Sequence, residues 1–99
     1  MSLREKILAI SDAVWERVGG GYCDYRTAST FVSVNIQKDR LKIYIKMGEK
    51  KLNDPKGVCK DIPPSWGYGL LNKQFVILSE SDIKYAMSLI LQAHEYVTV

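Results

Sequence analysis

The chain has 99 residues, of which 46% are hydrophobic and 25% charged, with a formal net charge of +3. That length makes one domain, residues 1–99, and the composition is that of a globular protein rather than a disordered one. No apolar run approaches the roughly 20 residues that span a bilayer, and the start, MSLREKILAI, lacks the continuous apolar stretch of a secretory signal. A cytoplasmic domain is the reading that follows, and Met1–Leu3 are given no function.

From Ser2 to about Val18, Leu3, Ile7, Ile10, Val14 and Val18 recur at helical steps, with Arg4, Glu5, Asp12 and Glu16 mostly elsewhere. This predicts an amphipathic helix anchored by Trp15. Gly19-Gly20-Gly21 would end it and turn the chain. A glycine run that follows a helix is poorly placed to cradle a phosphate, because the anion site lies at a helix N-terminus. Tyr22–Arg26 predicts a short strand.

The stretch FVSVNIQKDRLKIYIKM, residues 31–47, alternates apolar and polar side chains on either side of Lys38-Asp39-Arg40. Period two around a polar turn predicts a β-hairpin. Val32, Val34, Ile36, Leu41, Ile43, Ile45 and Met47 form the face to be covered. Ser33, Asn35, Gln37, Lys42, Tyr44 and Lys46 form the face left to solvent or a charged partner.

After Leu52, an apolar return, comes a Pro- and Gly-rich stretch, NDPKGVCKDIPPSWGYG. Asp54-Pro55 suits the start of a short helical turn, with Val58 and Ile62 facing the core. A connection this long is uncommon without a role or internal anchors, and Trp66 and Tyr68 are the residues to supply either. Gly67-Tyr68-Gly69 is too short a glycine pattern to imply nucleotide binding. Gln74–Ser79 predicts the last strand. Ser79 and Asp82 fit a capping box, and the last helix follows with a stripe of Ile83, Met87, Ile90, Leu91 and Val97, with Ala86 and Ala93 between. The expected fold is α+β, a helix, a four-stranded antiparallel meander and a helix, with both helices packed on one face of the sheet.

The pieces VNIQKDRLKIYIKM, DPKGVCKDI, WGYG and ILSESDIKYAMSLILQAHEY, in this order, resemble the DUF5655 domain, a small domain of unknown function sometimes labelled a predicted transport protein. The resemblance runs from the first helix to Tyr96. It implies a compact α/β domain with no assigned activity, found alone or at the C-terminus of larger proteins that include nuclease-like ones. The family pattern often has His-Trp-Gly where this chain has Ser65-Trp66-Gly67, and that departure argues against histidine chemistry in the loop. The transport label gains nothing from a chain without an apolar span.

Catalytic residues are sparse. His94 is the one histidine, and its place on the last helix's apolar stripe fits a partly buried structural residue. Cys23 and Cys59 have no CxxC spacing; they could form one bridge, but two cysteines in a cytosolic chain are more often free thiols. With so few Cys and His residues, no metal or cofactor is expected. A rival reading, a small enzyme or nuclease remnant, would centre on Asp24, Glu49 and Lys51, because two-metal chemistry needs clustered carboxylates and a nearby lysine.

Charge supplies the leading reading. Between Lys38 and Lys60 lie eight basic and three acidic residues, a local +5, which leaves −2 for the remainder. Lys38, Arg40, Lys42, Tyr44 and Lys46, together with Trp66 and Tyr68, are the candidate binding residues. Cations that flank an aromatic suit a nucleic-acid backbone and a stacked base. The expected function is a non-enzymatic accessory module whose partner is nucleic acid or a protein. Self-association as a homodimer through the sheet is a third reading.

Overall fold

Strict alternation requires a sheet with a covered face, and the chain builds one. A computed structural model describes residues 2–98. Its elements are α1 (Leu3–Leu8), β1 (Trp15–Gly19), β2 (Tyr22–Arg26), β3 (Thr30–Ile36), β4 (Leu41–Ile45), β5 (Lys60–Asp61), β6 (Lys73–Ile77) and α2 (Ile83–Thr98). Single 3-10 turns cover Pro64–Trp66 and Glu80–Asp82. The fold is α+β, with two helices and a six-stranded sheet in the order β1-β2-β3-β4-β6-β5, every pair antiparallel.

The four expected strands lie side by side as β2, β3, β4 and β6. The structure adds an edge strand beyond each end. One of these additions corrects the first helix, which stops at Leu8 rather than near Val18. Ser2 caps α1 in a box with Glu5. Ser11 then closes a turn, accepting from Ala13 N–H at 3.1 Å through its hydroxyl and from Val14 N–H at 3.1 Å through its carbonyl. Side-chain bonds of this kind compete with helix, and Val14 to Val18 is rich in β-branched and aromatic residues that favour strand. Gly20-Gly21 therefore joins β1 to β2 as a two-residue hairpin turn instead of ending a helix, with Gly21 at φ +79°. Trp15, expected to anchor a helix, is half-exposed on β1 beneath the Arg26 guanidinium, 5.3 Å from its ring centre.

The core joins α1 and α2 to the sheet. Leu3 and Ile7 from α1 and Ala86, Leu89, Ile90 and Ala93 from α2 cluster with Tyr25, Val32, Val34, Ile43, Ile45, Phe75 and Ile77. Ala86 and Ala93 are small, so α2 lies close against the strands. Of the expected stripe, Ile90 is buried and Ile83, Met87 and Val97 pack against the core, whereas Leu91 is exposed and Leu89 is buried instead. Ser79 and Asp82 form the capping box read from the sequence.

Between β4 and β6, Leu52 returns to the core edge and Ile62 is buried, both as expected. Val58 is exposed instead of core-facing. Asp54 starts a tight turn closed by Gly57 N–H on its carbonyl at 3.0 Å, with no helix. Its carboxylate is occupied elsewhere, accepting from Cys59 N–H at 2.8 Å and from the Tyr85 hydroxyl on α2.

Glu16 ties α1 to the sheet. Its carboxylate accepts from Arg4 Nε and from the buried Tyr25 hydroxyl, each at 2.8 Å. The bonds from Arg4 and Tyr25 hold the Glu16 carboxyl below the usual range. This contribution is complete above the unfolded carboxyl value of about 4.3 and is lost as pH falls through the lower folded value. Glu16→Gln should therefore reduce the melting temperature at pH 7, with the gap to the parent protein closing toward pH 3. A gap constant with pH would contradict this assignment.

Position along the aliphatic row predicts unequal mutational costs, because Ile36, at the turn end, is not covered as the alternation predicts. Ile43 is fully buried and Ile36 is 60% exposed. Ile43→Ala should cost about 2–5 kcal/mol in urea unfolding, and Ile36→Ala about 0.5 kcal/mol or less.

Candidate nucleic-acid interface

The second face of the sheet is set by register. Arg17, Asp24, Ser33, Tyr44, Gln74 and Lys60 are successive cross-strand partners from β1 to β5, so they share one side. Lys42 and Val76 form the neighbouring pair on the same side. Trp15 and Arg26 lie there as well, two residues from Arg17 and Asp24. We call this the outer face.

It is not an open, solvated surface. Ser33, Tyr44 and Gln74 are buried, Tyr44 to 3% exposure. The expectation that Tyr44 displays a free ring is overturned, because the chain between β5 and β6 folds back over it. The Tyr68 ring stacks on Tyr44 with centres 4.4 Å apart and planes 24° from parallel. Trp66 meets Tyr68 edge-on at 6.3 Å. Burial first, then the neighbouring Tyr68, pushes the Tyr44 phenol up to about 12, so it stays neutral.

Backbone and amide bonds hold this loop in place. Asn72 accepts Met47 N–H at 2.8 Å and donates to Gly48 O at 2.7 Å, fixing the loop's end to the end of β4. Ile62 N–H donates to Asn72 O at 3.0 Å, and Gln74 Nε2 donates to Asp61 O at 3.2 Å. Gly67 adopts the left-handed backbone that ends the Pro64–Trp66 turn. Trp66 remains 50% exposed and Tyr68 38% exposed. The loop is thus both a cover for the sheet and a rim of accessible aromatic surface.

The cations group differently from the sequence. Lys42 Nζ lies 5.4 Å from the Trp66 ring centre and 5.8 Å from that of Tyr44, within cation–π range. Lys46 Nζ bonds Ser29 Oγ at 3.1 Å. Lys38 and Arg40 lie apart from them, exposed in the β3–β4 turn, where Arg40 pairs with Asp39 at 3.3 Å. Lys50 and Lys51 lie in the loop after β4, and Lys56 sits 4.7 Å over Tyr85 of α2. The basic segment scatters. Arg17 and Arg26 instead join the outer face from strands that the sequence reading had as helix or left without a role.

A cleft of about 280 Å³ opens beside the aromatic rim, lined by Asp24, Ser29, Thr30, Lys46, Tyr68, Leu70 and Leu71. Of the nuclease-like trio, Asp24 lines this cleft. Lys51 lines a different one with Leu52–Pro55, and Glu49 is exposed in the turn after β4. Among the described residues, no three His, Cys, Asp or Glu side chains are grouped to hold a metal ion. His94 packs edge-on against Phe31 at 5.2 Å, with Nε2 buried. Cys23 and Cys59 are free thiols.

No family model and no solved structure matches the chain. Over 72 residues, 73% of its length, it is 31% identical to an uncharacterised protein of Haemophilus influenzae. The chain spans 24% of that protein, about a quarter of its length.

Cys59 offers a check on the packing of a different loop, residues 52–59, which leads into β5. Burial, reinforced by the Asp54 carboxylate, pushes its thiol up to about 12. At pH 8 the folded protein should alkylate at Cys59 with iodoacetamide many-fold more slowly than the urea-unfolded chain, because the thiolate is the nucleophile. Equal rates by mass spectrometry would mean that the loop does not pack as described.

Proposed function

We propose that this chain is a DUF5655-like, non-enzymatic accessory domain of the cytoplasm that binds nucleic acid through its outer face and the Trp66–Tyr68 rim. In this reading both helices cover the opposite face, so that the strands and the 62–72 loop are left to the ligand. The observation that carries it is the placement of Lys42 against Trp66 and Tyr44, with Tyr68 stacked beside them. A cation held over the Trp66 ring, with accessible aromatic surface on Trp66 and Tyr68, supplies two attractions at once, charge for phosphates and a stacking surface for bases. Lys46 and, by register, Arg17, Arg26 and Lys60 extend the positive surface across the sheet. No helix among the described residues is long and apolar enough to cross a membrane.

Fluorescence anisotropy on a mixed-sequence oligonucleotide at low salt tests the reading. Binding should weaken steeply with salt, by about 0.9 in log–log slope per duplex phosphate contact or about 0.7 per single-strand contact. The double variant Lys42→Glu with Lys46→Glu should lose tenfold or more in affinity. No retention at low salt, or no change in that variant, overturns the proposal.

A further inference from the structure

We infer that the cleft beside Tyr68 is a subsite for one unpaired nucleobase bearing an exocyclic amino group, so that the preferred ligand is a single strand. The inference rests on the nucleic-acid reading above and narrows its substrate class.

Its starting point is a misplaced charge. Asp24 is the one carboxylate among the strand residues that register places on the outer face. On a surface that attracts phosphates it is repulsive unless a donor meets it. Arg17 is its direct cross-strand partner, yet among the described residues Asp24 makes no side-chain hydrogen bond and no ion pair. Its carboxylate oxygens are left to accept from whatever enters the cleft. Carboxylates accept from the amino group of cytosine, and a carbonyl at that position would meet them oxygen to oxygen.

The other walls suit a base more than a phosphate chain. Tyr68 borders the cleft with its ring fixed by the stack on Tyr44, a rigid surface for a π-face. Leu70 adds apolar area, being 72% exposed in the free protein. Lys46 stands at the cleft with its ammonium held by Ser29, placed for a phosphate that flanks the base. The volume, about 280 Å³, lies just under the roughly 300–1,000 Å³ of sites for drug-sized molecules and matches a small planar group. A base inside a duplex has its pairing edge occupied and its faces stacked, so it cannot present both to this cleft.

Oligodeoxycytidine and oligodeoxyuridine of equal length, and a duplex of the former, distinguish the outcomes by anisotropy at low salt. The two single strands differ chiefly in the amino or carbonyl group that would face Asp24. The unmodified protein should bind oligodeoxycytidine about tenfold more tightly than oligodeoxyuridine, and more tightly than the duplex. Asp24→Val, which keeps a strand-forming side chain, should bring the two single strands to equal affinity. Equal affinity for the two single strands, or a preference for duplex, overturns the subsite while salt-dependent binding survives. Failure to bind all three overturns the broader proposal with it. The first comparison uses the unmodified protein, so it does not depend on how the variant folds.

Discussion

The register between β3 and β4 constrains everything else in this fold. Pairing Val32 with Ile45 and Val34 with Ile43 puts four aliphatic side chains on one side, each nearly or fully buried. The same register puts Ser33 opposite Tyr44 on the other side, and both of those are buried as well. A slip of one residue would exchange the two sets and bury Lys42 and Asn35 in the core. The hairpin therefore needs a cover on each face, and the chain provides two different ones. Helix α2, with its alanines, seals the aliphatic side. The 62–72 loop seals the polar side over Tyr44.

A loop that serves as a layer of the structure must be held like one. Asn72 does this by bonding the backbone at both Met47 and Gly48, where β4 ends. Gly48 is itself constrained there, with φ at +55° and the Tyr96 ring where a Cβ would lie. The loop's anchor and the end of α2 thus converge on one turn. The consequence reaches the surface, since this turn holds the end of the loop that brings Trp66 to Lys42 and Tyr68 to Tyr44. The aromatic rim is a product of packing beneath it, not of the loop's own sequence.

The legibility of the chain follows from which physical signals are local. The alternation of 31–47 and the Ser79–Asp82 cap are local, and both were readable. Val14 to Val18 was not, because Ile10, Val14 and Val18 satisfy a helical stripe while Val14 and Val18 also fit the period of a strand. Pairing with Tyr22–Arg26 across Gly20-Gly21 decides between them, and that pairing is a tertiary fact. The stripe of α2 was readable except at Leu91, which is exposed while Leu89 is fully buried, because helical spacing alone does not say which of two neighbouring leucines meets the sheet. Tyr44 marks the limit of periodicity. Period two assigns a side chain to a face but cannot reveal what later folds across that face.

The same limit governs charge. Eight basic residues between Lys38 and Lys60 look like one patch when written in a line. Folded, they divide among a turn tip, a loop, the side of α2 and the outer face, where by register and contacts Lys42, Lys46 and Lys60 lie. The outer face gains Arg17 and Arg26 from strands that lie outside the basic stretch. It also gains Asp24, which no count of net charge would select. A purely electrostatic surface would be better without that carboxylate. Its presence, unpaired and beside a cleft bordered by a tyrosine ring stacked on Tyr44, is the feature on which the proposed base subsite rests.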